Sequence, residues 1–177
     1  VKDVSKMFQN CQSLASLNLN KFVGKDITSM ENLFQDCHSL RSLDLSAFIG
    51  SPNSINYAFV NCYSLREITM PSISLLGTKT AKGVFENCTS LESLDLSTFT
   101  FSTTTSFQSM FKNCYSLTSI KLNNFDTNSA TSMSSMFESC AKLKSLDLTY
   151  FKTTKVTDMS FMFNNCTLLE DLKVKYL

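Results

Sequence analysis

Apolar residues recur along this chain at two different periods, and the last stretch shows both. Met159, Met162, Phe163 and Cys166 fall at i, i+3, i+4 and i+7, the spacing of one face of a short helix. Leu172 and Val174 then alternate with polar neighbours, the pattern of a strand with one buried face. Leu169 sits between the two runs. A helix and a strand that each bury only one face need neighbours, and the chain supplies them by repetition.

The pair Phe-x-x-Cys occurs at Phe8/Cys11, Phe34/Cys37, Phe59/Cys62, Phe85/Cys88, Phe111/Cys114, Phe137/Cys140 and Phe163/Cys166, at steps of 26, 25, 26, 26, 26 and 26 residues. All 7 cysteines occupy this one position. After each cysteine, apolar residues follow at three, six and eight positions, as in Leu91-Leu94-Leu96 and Leu143-Leu146-Leu148. That is the Leu-x-x-Leu-x-Leu strand segment of a leucine-rich repeat. Eleven positions after the cysteine comes Phe22, Phe48, Ile73, Phe99, Phe125, Phe151 and Leu177, which predicts a stacked aromatic spine. Truncating one ring of such a spine should cost about 3–5 kcal/mol.

Before the first apolar position of each helical pattern stands Asp3, Ser29, Ser54, Thr80, Ser106, Ser132 or Asp158, each a good helix N-cap. No glycine marks the helix ends, and local chemistry does not say what stops them. Repeat three departs from the others. It has Pro52 in its lead-in, is one residue short, and ends its strand at Pro71, which cannot donate to a ladder.

These elements predict an α/β leucine-rich repeat solenoid over residues 1–177, one domain of seven repeats. Strands stack about 4.8 Å apart and helices about 8–10 Å apart. The stack should therefore curve, with parallel strands on a concave face roughly 30 Å tall and short helices on the convex face. Both ends of the chain would expose apolar interior, which fits a piece of a longer protein.

The residues resemble the BspA-like leucine-rich repeat family, in its 26-residue-repeat branch of bacterial, mycoplasma and protist surface proteins. The stretch from Phe85 through Cys88, Ser90-Leu91 and Leu94-Asp95-Leu96-Ser97 to Phe99 follows that pattern, as does Met136-Phe137 through Cys140 to Leu148. Repeat three, Ala58 to Pro71, resembles the shorter BspA repeat type. The resemblance spans the chain. It implies a non-enzymatic protein-binding or adhesion module of a cell-surface or secreted protein, and it carries no catalytic residue onto this sequence.

Composition narrows the partners. With 16 basic and 15 acidic residues, no charge excess favours nucleic acid or an anionic membrane surface. No apolar run is long enough to span a bilayer. The expected partner is a protein, either on a host or neighbouring cell or as other subunits of an assembly. The latter belongs to the alternative reading, an intracellular structural scaffold or spacer, which free thiols would suit.

Cysteines on an apolar face are expected to pack as buried thiols. Helices 8–10 Å apart would also hold them too far apart for disulfides. One histidine, His38, and no Cys-x-x-Cys leave zinc without a ligand set, and His38 is expected as a solvated loop residue. No cofactor is implied: there is no phosphate-binding glycine loop, and the acidic residues lack the split pairing of acid–base catalysis. Asn87-Cys88-Thr89 and Asn165-Cys166-Thr167 fit the glycosylation sequon, but the repeat itself already demands Asn and Cys there.

The candidate binding strip is the outward column of the strands: Asn18, Asp44, Thr69, Asp95, Lys121, Asp147 and Lys173. Six of these, Asp44 to Lys173, are the expected site residues. In register Asp95, Lys121, Asp147 and Lys173 would form alternating charges, which serve equally as a salt-bridge ladder worth about 0–1 kcal/mol per exposed pair. The adjoining column (Ser16, Ser42, Glu67, Ser93, Ser119, Ser145, Asp171) is small and polar. No exposed aromatic hot spot stands out on the predicted surface.

Overall fold

A computed structural model describes residues 1–176. Leu177, the last member of the second phenylalanine column, lies outside the described residues. The chain winds as a β-solenoid in which every strand pairing is parallel. The strand segments of successive repeats are β2 (Ser42–Asp44), β4 (Glu67–Thr69), β6 (Ser93–Asp95), β7 (Ser119–Lys121), β8 (Ser145–Leu148) and β9 (Asp171–Val174). Pairing joins β2 to β4, β6 to β7 and β8 to β9. Leu43, Leu94 and Leu146 point inward, opposite Ile68, Ile120 and Leu172 of the neighbouring coil. A second small sheet, β1 (Gly24–Ile27), β3 (Phe48–Gly50) and β5 (Ser72–Ile73), forms a side wall in the first three coils. Strand β4 ends before Pro71, as a missing donor requires.

The short helices are not there. Among the described residues the chain forms no helix; each Phe-x-x-Cys unit is a run of turns. The cause lies in the backbone on either side of the phenylalanine. The residues two before and two after it have positive φ in every coil, from Lys6 (60°) and Asn10 (62°) to Phe161 (59°) and Asn165 (59°). A left-handed residue at every fourth position prevents helix propagation. At the third place of a four-residue turn, positive φ is instead what a type II turn requires.

The hydrogen bonding follows the same alternation. In the second coil the N–H groups of Asn32, Phe34 and Asp36 donate to Asn56, Ala58 and Val60 of the next coil at 3.0, 2.7 and 2.9 Å. Between them Gln35 and Cys37 donate within the coil, to Asn32 at 3.3 Å and Phe34 at 3.1 Å. Backbone polarity is thus met by the neighbouring coil and by local turns, as buried peptide groups demand.

Replacing helices by turns removes the expected reason for curvature. The Phe-x-x-Cys rings stack from Phe8 to Phe163 with centroids 5.0–6.0 Å apart and planes 6–16° from parallel. That spacing is near the ~4.8 Å of the strands, well short of the 8–10 Å that packed helices need. The assignment of short helices to a convex face therefore does not hold.

The other phenylalanine column stacks only in part. Phe22–Phe48 and Phe125–Phe151 are stacked at 4.7 and 5.4 Å. Between them Ile73 interrupts the column, and Phe101 inserts edge-on to Phe99 and tilted against Phe125. The uninterrupted aromatic stack is the column expected to lie on a helix.

Five of the expected N-caps, Asp3, Ser29, Ser106, Ser132 and Asp158, keep their chemistry but cap turns, whereas Ser54 and Thr80 bond side chains of the preceding coil instead. Asp3 and Asp158 accept from the N–H groups of Ser5 and Ser160 at 2.8 and 3.0 Å, and Ser29 accepts from Glu31 at 3.4 Å. Four pairs in this column also meet as parallel bridges, among them Ser106 with Ser132.

Candidate interaction surface

The strand face carries the outward columns. Asp44 lies opposite Thr69, Asp95 opposite Lys121, and Asp147 opposite Lys173. Strand geometry dictates this, since the leucines between them face the core and the pleat turns the alternate residues to solvent. Asp44 and Thr69, with Ser16, Ser42 and Glu67, line a shallow depression of about 450 Å³ floored by Leu17, Leu43 and Ile68. Its wall is hydroxyl- and carboxylate-rich, suited to hydrogen-bonding an extended polar segment.

The aspartates of this column have a second task. Asp44, Asp95 and Asp147 accept from the N–H groups of Ser46, Ser97 and Thr149 at 2.8, 3.0 and 3.0 Å. Asn18 does the same with Asn20 at 2.9 Å. Each closes the turn that follows its strand, a common use of short acidic and amide side chains. Among the described residues the ion-pair ladder forms only in one rung. Lys121 Nζ lies 2.9 Å from Asp95 Oδ2, whereas Lys173 makes no ion pair with Asp147 among the described residues. Hydrogen bonds from Ser97 and from the Lys121 ammonium hold the Asp95 carboxyl down at about 2. The backbone and side chain of Ser46 lower that of Asp44.

The turn side holds groups that the strand pattern did not reveal. Asn113 Nδ2 donates to Asn87 Oδ1 at 2.8 Å, Asn87 to Asn61 at 2.7 Å, and Asn61 to Asp36 at 2.7 Å. Asn87 thus spends its amide in a ladder, which argues against its sequon. Lys112 pairs with Glu138 at 2.9 Å. Half-buried Glu86, next to Lys112 in the same column, has its carboxyl pushed up by burial. The signal for both columns was present as polar residues recurring one and two places after the stacked phenylalanine.

His38 is not free in solvent: its ring lies 4.8 Å from that of Tyr63 and its Nε2 3.7 Å from Asp36 Oδ1. Exposed aromatics occur away from the strand columns. Tyr57, Tyr63 and Tyr115 are each about two-fifths exposed, at 38, 41 and 46%.

The cysteines are free thiols, although the distance argument against disulfides falls with the helices. From Cys37 to Cys166 each Sγ donates to the carbonyl of the preceding coil's phenylalanine at 3.0–3.2 Å. Burial pushes the thiols up, to about 11 at Cys37 and about 12 at Cys114. No group of three or more His, Cys, Asp or Glu side chains among the described residues is placed to hold a metal ion. No helix among them is long and apolar enough to cross a membrane.

Two family comparisons span almost the whole chain. Residues 79–175 match the family described as "Mycoplasma protein of unknown function, DUF285". Residues 4–110 match the "BspA type Leucine rich repeat region", in six copies. No curated protein matches the chain. The Leu-x-x-Leu-x-Leu pattern recurring in one register along the sequence, which forms a strand from the second repeat onward, agrees with the leucine-rich repeat comparison. The chain belongs to the BspA-type leucine-rich repeat family, a class of solenoid that is typically a non-enzymatic protein-interaction module.

Proposed function

We propose that this solenoid is an adhesion module of a cell-surface or secreted protein, which binds a protein of a host or neighbouring cell through its strand face. The family match supports it most directly, because BspA-type and DUF285 proteins are commonly surface-associated. The seven coils act as one domain in this reading, since one apolar cluster runs from Val4 to Met162. Asp44, Thr69, Asp95, Lys121, Asp147 and Lys173 are the proposed contact column. The depression around Asp44 and Thr69 is the part of it with a concave shape.

The alternative is an intracellular structural scaffold, favoured by the seven free thiols, since such thiols persist most readily in a reducing compartment. One experiment separates the two. An antibody to the array should label intact source cells, and cell-surface protein captured by the array should be lost with Asp44→Lys and Thr69→Lys together. Labelling only after permeabilisation would replace the adhesion reading with the scaffold. Undiminished capture by the double variant would move binding off the strand face.

A further inference from the structure

At the corner between the turn run and the strand face, the residue after the cysteine is His38, Tyr63, Thr89 and Tyr115 in four successive coils. The His38 and Tyr63 rings lie 4.8 Å apart, one coil spacing, so each stays at the level of its own coil. The Tyr115 hydroxyl donates to Asn113 Oδ1 of its own coil at 3.2 Å, which holds that ring at its level too. Tyr63 and Tyr115 therefore stand two coils apart, about 10 Å by strand spacing. The phenylalanines beneath them step by a similar 5.2 and 5.9 Å. Between the tyrosines lies only the short side chain of Thr89, whose hydroxyl donates to the carbonyl of Tyr63 at 3.0 Å. The result is a gap with an aromatic wall on each side, the walls being 41 and 46% exposed.

One edge of this gap is polar. A primary amide has two N–H donors and two acceptor lone pairs. Asn87 spends one N–H on Asn61 and one lone pair on Asn113. Asn113 spends one N–H on Asn87 and one lone pair on Tyr115. Each half-buried amide thus keeps one donor and one acceptor. The bond from Tyr115 puts the amide column within hydrogen-bond reach of the aromatic one. Lys112, next to Asn113, is committed to Glu138 at 2.9 Å and is not available for a phosphate.

Two aromatic faces about 10 Å apart, with an amide donor and acceptor at one edge, select a ring by its thickness and its rim. A flat ring about 3.4 Å thick touches both walls only by tilting or sliding. A pyranose chair is thicker. When its hydroxyls are all equatorial, its axial C–H bonds point at both walls, and the negative faces of the tyrosines attract them. The hydroxyls then lie in the rim, where two neighbours meet an amide donor and an amide acceptor together.

We infer that Tyr63 and Tyr115 are the walls of a carbohydrate site that takes a terminal all-equatorial pyranose, glucose or N-acetylglucosamine, with Thr89 beneath it and Asn87 and Asn113 at its inner edge. The ring is terminal because both its faces and its inner edge are covered, which leaves only the outer edge to carry the linkage. The site lies off the proposed strand-face column and does not depend on it.

The chain has 5 tyrosines and no tryptophan, so its tyrosine ring resonances are readily assigned by NMR. Methyl β-glucoside and methyl β-N-acetylglucosaminide are titrated into the whole protein, alongside methyl β-mannoside, methyl β-galactoside and adenosine. At least one of the first two should shift the Tyr63 and Tyr115 resonances together, with a dissociation constant on the order of 1 mM. The mannoside and galactoside, each with an axial hydroxyl against a wall, should bind roughly tenfold or more weakly. Thr89→Tyr fills the gap with a ring that this column accommodates, as Tyr63 beside His38 demonstrates. It should weaken binding roughly tenfold or more, as should Tyr115→Ala, which removes a wall. Thr89→Ser should retain binding. Absence of a joint shift with either equatorial sugar overturns the inference, as does undiminished binding by Thr89→Tyr or equal binding of the axial sugars. Shifts produced by adenosine alone would assign the gap to a nucleobase instead. Shifts produced by a hexasaccharide but not by the methyl glycosides would overturn the terminal ring.

Discussion

The ring of Tyr57 lies over Gly83 of the next coil, close enough that an added Cβ would stand 2.6 Å from its Cδ1 and Cε1. Gly83 also has φ 56°, so alanine there meets both a clash and an unfavourable backbone. Gly83→Ala should destabilise the fold by about 1–3 kcal/mol. In a Tyr57→Ser background the same change should cost only the backbone part, about 1 kcal/mol. Urea denaturation of the four proteins in a double-mutant cycle checks this, and strict additivity would contradict it.

The asparagine ladder makes a second prediction. Asn87 both donates to Asn61 and accepts from Asn113, so its removal leaves the Asn61 Oδ1 and the Asn113 Nδ2 without that partner. Asn87→Gly, which keeps the left-handed backbone comfortable, should still cost about 1–2 kcal/mol. Asn87→Ala should cost more, because it adds the strain of positive φ. Equal stability of wild type and the glycine variant would show that water replaces the ladder.

Thiol chemistry should follow burial. Cys11 and Cys166 are half-buried while the other five are buried, and burial raises the thiols of Cys37 to about 11 and Cys114 to about 12. At pH 8 the buried five therefore hold almost no thiolate, the reactive form. Alkylation of the native protein, read by mass spectrometry of peptides, should modify Cys11 and Cys166 first. Labelling of Cys88 should wait for unfolding.

Acid should weaken the strand face. Asp95 is held at about 2 by Ser97 and Lys121, below the ~3.9 of an unfolded aspartate. Its contribution is present above about pH 4 and is lost as pH falls from there to about 2. Because the pair is well exposed, the contribution is small, under about 1 kcal/mol. Asp95→Asn keeps an acceptor for Ser97 but does not titrate. Its stability deficit at pH 5 should close by pH 2, and a pH-independent deficit would contradict the assignment.

Glu86 runs the other way. Burial raises its carboxyl above the ordinary glutamate value, so the unfolded chain ionises first and stability is lost as pH rises from the unfolded value toward the folded one. Glu86→Gln removes that loss, and its advantage over wild type should be larger at pH 7 than at pH 4. A variant that is no better at pH 7 would show that Lys112 fully offsets the burial.

The register of the coils was legible because it is written three times over, in cysteine, phenylalanine and leucine columns. Strand positions followed from alternation, and so did the pairs Asp44–Thr69 and Asp95–Lys121. The helix was misassigned because a run of turns can also bring Met159, Met162, Phe163 and Cys166 to one side. The deciding residues were polar ones: Asn10, Asp36, Asn61, Asn87, Asn113 and Asn165, all two places after the stacked phenylalanine and all left-handed. Asparagine and aspartate are enriched in that conformation, and it stops a helix where no glycine does. The side-chain geometry of the candidate surface was less legible. Register places Lys173 opposite Asp147, but a long flexible side chain on an exposed rung is not fixed by register.

Because each coil is hydrogen-bonded only to the coils before and after it, the array has the mechanics of a row of stacked rings opened from one end. Tension applied between its termini loads the outermost rungs first, and the interior stays intact until its neighbour has gone. One coil peeled away frees 26 residues, which is roughly 90 Å of extended chain. A tether built this way would lengthen in equal steps under load, each step dissipating work while the coils still stacked keep their shape.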